Sequence, residues 1–180
     1  MAQYNGYVEI PHGSYDEWRA ATIGNGYNAD NMYGNQCWDY CAELWHQYGL
    51  SLYTGGRGGA ADCWLVSKAR NAQNPFIAVD GVENIKRGDV IVWNRSRSSS
   101  TGHIGLADED YNGGNRIWTI GQVPSLHGQR GVVSRDSFSL SSFLGIFRNQ
   151  QWQQDPPSPS HPKKKGDYPF VIAKHYWWNN

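Results

Sequence analysis

The sequence has no apolar run that approaches the roughly 20 residues needed to cross a bilayer, so no membrane insertion is expected. Its first residues, MAQYNGYVEIPHGSYDEW, lack the basic start and apolar centre of a secretory signal. If such a protein works outside a cell, something else must release it. Excess charge is also missing: Lys+Arg is 16, Asp+Glu is 16, and the formal net charge is +0. Proteins that grip nucleic acid carry a basic face to neutralise phosphates, so no nucleic-acid partner is expected. Cysteine is scarce and odd in number, at 3. One thiol therefore stays free unless it pairs with another chain, and the disulfide framework of a small secreted domain does not fit. No His/Cys cluster has zinc-ligand spacing.

What remains is 180 residues with 39% hydrophobic content, one ordinary domain able to bury a core without staples. Aromatics are plentiful, with 9 Trp and 11 Tyr, beside 21 Gly. Most such rings serve as core, but exposed ones form flat platforms for sugar rings and apolar ligand faces.

Residues 1–35 read as irregular, with one short helix near Tyr15–Ala21. CWDYCAELWHQYGL is the clearest helix: Trp38, Cys41, Leu44, Trp45 and Tyr48 recur at helical spacing, and Gly49 sits where a glycine stops a helix. A second helix is expected from about Ala60 to Arg70, and NPFIAVDG reads as a turn region. Strands follow at Val90–Trp93, His103–Ala107, Arg116–Val123 and Ser142–Arg148. Helices followed by strands imply an α+β domain with an antiparallel sheet. From Asn149 the composition turns to Gln, Pro, Ser and Lys. Residues 150–166 read as a linker. Residues 167–180, aromatic again, are either a docked tail or the start of a further module.

Cys37 lies at the start of the clearest helix, after a Gly-containing turn. Unpaired N–H groups and the partial positive charge there favour thiolate, the form a nucleophile needs. Packing on the apolar helix face is the plain alternative. His103 opens a downstream strand directly after Gly102. A cysteine at a helix start and a histidine on a facing strand are the parts of a Cys/His nucleophile–base pair.

Tyr33-Gly34-Asn35-Gln36-Cys37-Trp38-Asp39, Gly88-Asp89 before VIVW, and Gly102-His103-Ile104-Gly105 occur in that order. Together they resemble the CHAP family of cysteine- and histidine-dependent amidohydrolases and peptidases, found in phage endolysins and bacterial autolysins. The resemblance spans about residues 10–149. It implies a papain-like α+β fold for 1–149 and cleavage of an amide bond in bacterial peptidoglycan, by a monomer without organic cofactor. It also implies synthesis in an infected host's cytoplasm and action on the cell wall after release. Cys37 is then the nucleophile, His103 the base, and Gln36 a contributor to the oxyanion pocket. The sequence departs from the family on the strand after the histidine, where Gly121 and Val123 fall at the polar positions. Gln122 is the candidate to orient the imidazole if the strand shifts or bulges; otherwise it faces solvent. Asp108 and Asp110 are further acids along the His103 strand and its turn. A catalytically inactive CHAP-like wall-binding or structural phage module, and another papain-like thiol amidase, are the rival readings.

Asn28-Ala29-Asp30-Asn31-Met32-Tyr33 places oxygen side chains at alternating positions, which suits a hard cation as well as an ordinary loop. The resemblance implies a structural Ca2+ held by Asn28, Asp30, the carbonyl of Met32 and Asp39. Asn28 stands where the family usually has Asp, which removes one charge.

Overall fold

Helix α1 (Tyr15–Thr22) begins where the Ser14 hydroxyl accepts from the Glu17 N–H at 3.1 Å, with Asp16 and Glu17 in its first turn. The hydroxyl satisfies an orphan amide and the acids suit the helix dipole. Helix α2 (Cys37–Gln47) is followed by Gly49 at φ 68°, the left-handed value a helix-stopping glycine adopts without strain. Its inner face carries Tyr40, Cys41, Leu44 and Trp45, all sealed from solvent. The computed structural model describes residues 2–96, 99–123 and 131–154. Much of the expected linker and all of the 167–180 tail lie outside them.

Within the stretch read as irregular, β1 (Gln3–Asn5) and β2 (Gly26–Asn28) form a short parallel pair. Three residues are too few for an alternation to be seen. The helix expected over 60–70 breaks into α3 (Asp62–Leu65) and α4 (Lys68–Asn71). The N–H groups of Val66 and Ser67 both turn back to the Asp62 carbonyl, closing the first piece. The turn expected at NPFIAVDG is instead strand β3 (Phe76–Val79).

β4 (Val90–Trp93), β5 (His103–Ala107), β6 (Arg116–Gln122), β7 (Val133–Ser139) and β8 (Phe143–Asn149) complete a six-stranded sheet. Its order is β3-β8-β4-β5-β6-β7 and every pairing is antiparallel, as an α+β domain requires. Alternation sets the two faces. Val90, Val92, Ile104, Leu106 and Ile120 pack with α1 and α2 in the main core. Ile91, Trp93, Ala107 and Ile117 face a second, smaller apolar cluster.

The sheet curls over that second cluster. Trp93 on β4 reaches past β5 and β6, and its Nε1 donates to the Ser139 carbonyl on β7 at 2.9 Å. This curl brings β7 back toward the start of β5. Trp152, inside the expected linker, is 5% exposed. Its Nε1 donates to the His12 carbonyl at 2.8 Å and its ring meets Tyr15 and Trp18, so the packed domain runs at least that far.

Candidate active site

The loop before Cys37 is tightly wound: Asn31, Tyr33 and Gly34 have φ of 59°, 60° and 72°. Gln36 then caps α2 in extended conformation, and its N–H donates to Asp39 Oδ2 at 2.7 Å. Asp39, a first-turn acid, thereby fixes the direction in which the chain enters the helix. Cys37 is the first helical residue and lines a cleft of about 480 Å3, with Gln36, Trp38, Tyr33, Thr54 and Thr101 among the walls.

The backbone N–H of Ile104 on β5 is near enough to the thiol to favour its charged form. His103 is the adjacent residue. Gly102, which aims it, has φ 79°, and any Cβ there would lie 2.5 Å from the Trp93 carbonyl oxygen and 2.7 Å from Ala61 Cβ. Only glycine fits. The pairing of β5 with β6 spans Leu106↔Ile120 and Ala107↔Thr119 and stops short of His103.

Burial, the largest effect on it, pushes the Cys37 thiol up to about 11, although the N–H groups of Ile104 and Trp38 draw it back. The helix start therefore does not by itself make a thiolate: desolvation outweighs the dipole. Burial also pulls the His103 imidazole down to about 4, against the opposing charge of Asp136. At neutral pH both the Cys37 thiol and the His103 imidazole are therefore uncharged.

The imidazole packs on the face of the second cluster. It stacks on Phe138 with centroids 4.4 Å apart, lies 5.3 Å from the Trp93 ring, and its Nε2 is sealed without a hydrogen-bond partner. Gln122 points the other way. Its Oε1 accepts from the Tyr27 N–H at 2.6 Å, and its Nε2 donates to the carbonyls of Tyr27 (2.9 Å) and Gln36 (2.7 Å). It is a wholly buried tie between β6, β2 and the residue before Cys37. It neither orients His103 nor faces solvent, because period-two alternation puts it and His103 on opposite faces.

The acids after the histidine are committed elsewhere. Asp108 accepts from Arg19, Arg135 and Tyr15, and Asp110 accepts from the Arg87 N–H at 2.9 Å. The acid whose charge does reach the imidazole is Asp136 on β7, a strand that sequence reasoning did not anticipate. Gln36 lines the cleft, with its Nε2 donating to the Tyr33 carbonyl at 2.8 Å.

Around the cysteine loop, Asn28 Oδ1 is buried with no partner. Asp30 Oδ1 accepts from the Met32 N–H at 2.8 Å, and Asp39 Oδ1 from the Asp30 N–H at 3.4 Å. Burial pushes the Asp39 carboxyl up to about 6, and the nearby Asp30 charge adds to the shift. Among the described residues no group of three or more His, Cys, Asp or Glu is arranged to hold a metal, and no helix is long and apolar enough to cross a membrane.

The CHAP domain family matches residues 13–123, well over half of the chain. The chain belongs to the CHAP family. A curated relative is the D-alanyl-L-alanine endopeptidase of Streptococcus phage B30, 32% identical over 114 residues. That match takes in 61% of this chain but 24% of the relative, so this CHAP domain spans about a quarter of that protein's length. Among solved structures, the wild-type endolysin LysIME-EF1 aligns with a TM-score of 0.57 at 19% identity, covering 79% of this chain and 65% of that one. At that identity the likeness concerns the fold.

Proposed function

We propose that this CHAP domain hydrolyses an amide bond of bacterial peptidoglycan, with Cys37 as nucleophile and His103 as general base. The observation that carries this reading is the thiol at the head of α2, in an open cleft and against the strand backbone beside His103. His103 accepts the thiol proton as sulfur attacks the amide carbonyl. The imidazolium then gives that proton to the leaving amine, and water, deprotonated by the same imidazole, hydrolyses the thioester. Gln36 and the N–H groups at the start of α2, which border the cleft, would supply the donors for the oxyanion. The exposed ring of Tyr33, 85% accessible at the cleft, is a platform for the wall polymer. The endopeptidase activity of the phage B30 relative favours a peptide cut over the sugar–peptide link. The protein acts on the wall after release from the cell that makes it. Mass spectrometry of purified Gram-positive peptidoglycan digested with the protein tests the reading. Peptide-linked fragments with new amino and carboxyl ends are expected, and an unchanged wall would sink it.

The pH profile follows from the imidazole. A base pulled down to about 4 is still neutral at pH 5, so initial rates should hold from pH 7 to 5 and fall through about pH 4. Melting curves at each pH separate loss of base from loss of fold. A fall centred near 6.5, the ordinary histidine range, would contradict the buried ring.

The cysteine loop fits a hard cation, given the orphaned Asn28 Oδ1 and the strained ionisation of Asp39. Asn28, Asp30, the Met32 carbonyl and Asp39 would hold Ca2+. When bound, the ion supplies charge that offsets the two carboxylates and braces the loop that positions Cys37. A chelator should lower the melting temperature and added Ca2+ restore it. Identical melting curves with and without chelator would remove the site.

A further inference from the structure

The His103 ring has a sealed nitrogen with no partner, and the residue read from the sequence as its orienter faces away. We propose that Asp136 is the positioning carboxylate of the His103 base, acting from β7 across a gap left by two facing glycines, Gly105 and Gly121. The inference rests on the hydrolase reading above and names a residue that the motif pattern does not contain.

Several distances outline the space beside His103 Nε2. Nε2 of His103 lies 3.6 Å from where a Gly105 Cβ would be, and Thr119 Oγ1 lies 4.0 Å from the same point. A Gly121 Cβ would stand 3.6 Å from Gly105 Cα, so the glycines are neighbours and no side chain from either fills the space. Thr119 is directly opposite Asp136 in the β6–β7 register, and Ser134 is opposite Gly121. Phe138, two residues beyond Asp136 and on the same side of β7, is the ring that stacks on the imidazole. Asp136 is 8% exposed, and its Oδ2 accepts from the hydroxyl of Ser134, the residue opposite Gly121, at 2.6 Å.

Charge selects it as well. β4 presents Trp93 to the ring and β6 presents Thr119. Arg116 on β6 is bound to Ser137, and Arg135 on β7 lies over Trp118 and pairs with Asp108. Asp136 is the acid whose charge acts on His103. A carboxylate on the Nε2 side favours the tautomer protonated at Nε2 and stabilises the imidazolium formed during attack. Nδ1 is then the basic nitrogen available to the Cys37 proton. This is the division of labour a third member gives a nucleophile–base pair. Thr119 Oγ1, which donates to the Asp136 carbonyl at 3.3 Å, keeps lone pairs for the same N–H.

Asp136→Asn keeps the shape and the bond from Ser134 but removes the charge. It should lower kcat by about 10- to 100-fold with KM unchanged. The His103 imidazole should titrate lower still by NMR, and its ring nitrogen shifts should move away from the Nε2–H tautomer. Asp136→Glu, which restores charge, should recover part of the rate. An unchanged kcat and unchanged His103 spectrum in a folded Asp136→Asn protein would overturn the proposal. So would a rate loss that tracks a lower melting temperature with the His103 titration untouched. If Asp136→Asn does not fold, the same readings on Ser134→Ala, which loosens the carboxylate, decide it: a shifted His103 titration supports it and an unmoved one overturns it. Should the wild type release nothing from wall, the hydrolase reading fails separately, and the His103 titration still decides the role of Asp136.

Discussion

Cys37→Ala is expected to reduce the release of wall fragments by about 10^4-fold or more, the loss seen when an enzyme of this type is deprived of its nucleophile. The substitution removes one sulfur atom from a partly covered position at the head of α2 and leaves the cap formed by Gln36 and Asp39 intact. The fold and the affinity for wall should therefore persist. His103→Ala should fall by a comparable factor, and the double variant no further, because the two groups act as one unit. Clearing of a Gram-positive cell suspension, followed by turbidity, reads both. If Cys37→Ala cleared as fast as the wild type, the chain would be a wall-binding or structural part.

Gln122→Ala should cost both stability and rate. It strips partners from the Tyr27 N–H and from the carbonyls of Tyr27 and Gln36, in a place water does not reach. Each buried backbone group left unpaired costs about 1–3 kcal/mol, so a loss of about 3 kcal/mol and a melting point lower by on the order of 10 °C are expected. The Gln36 carbonyl belongs to the residue that precedes Cys37, the proposed nucleophile. Slackening there should cut kcat by on the order of a hundredfold, since misplacement of about 1 Å is enough. A role in orienting His103 would lower kcat with the melting temperature unmoved. The two measurements together tell the roles apart.

The helical parts of the site were readable in the sequence because periodicity of 3.6 and a stop glycine mark α2 strongly, and Cys37 sits at its start. His103 was readable because it opens a strand directly after a glycine, Gly102, which the structure shows no other residue could replace. The partner of the imidazole was not. β7 reads VSRDSFS, mostly polar on an edge strand, where a β signal is weak. Asp136 comes near the ring only because the sheet curls, and curl is a property of the whole sheet that no local pattern reports. Gln122 was misread for a related reason. Its type suited an orienting role, but the side it faces depends on a register that the glycine at 121 left ambiguous. NPFIAVDG looked like a turn because Pro75 and Gly81 flank a strand of only four residues.

The indole of Trp152 wedged between Tyr15, Trp18 and His12 also bears on how the domain can be recombined with other modules. A junction drawn at the change of composition after Asn149 would cut away an aromatic plug and leave an oily hollow beneath α1. Chimeras that borrow this CHAP domain should be spliced downstream of Gln154, so that the plug stays in place.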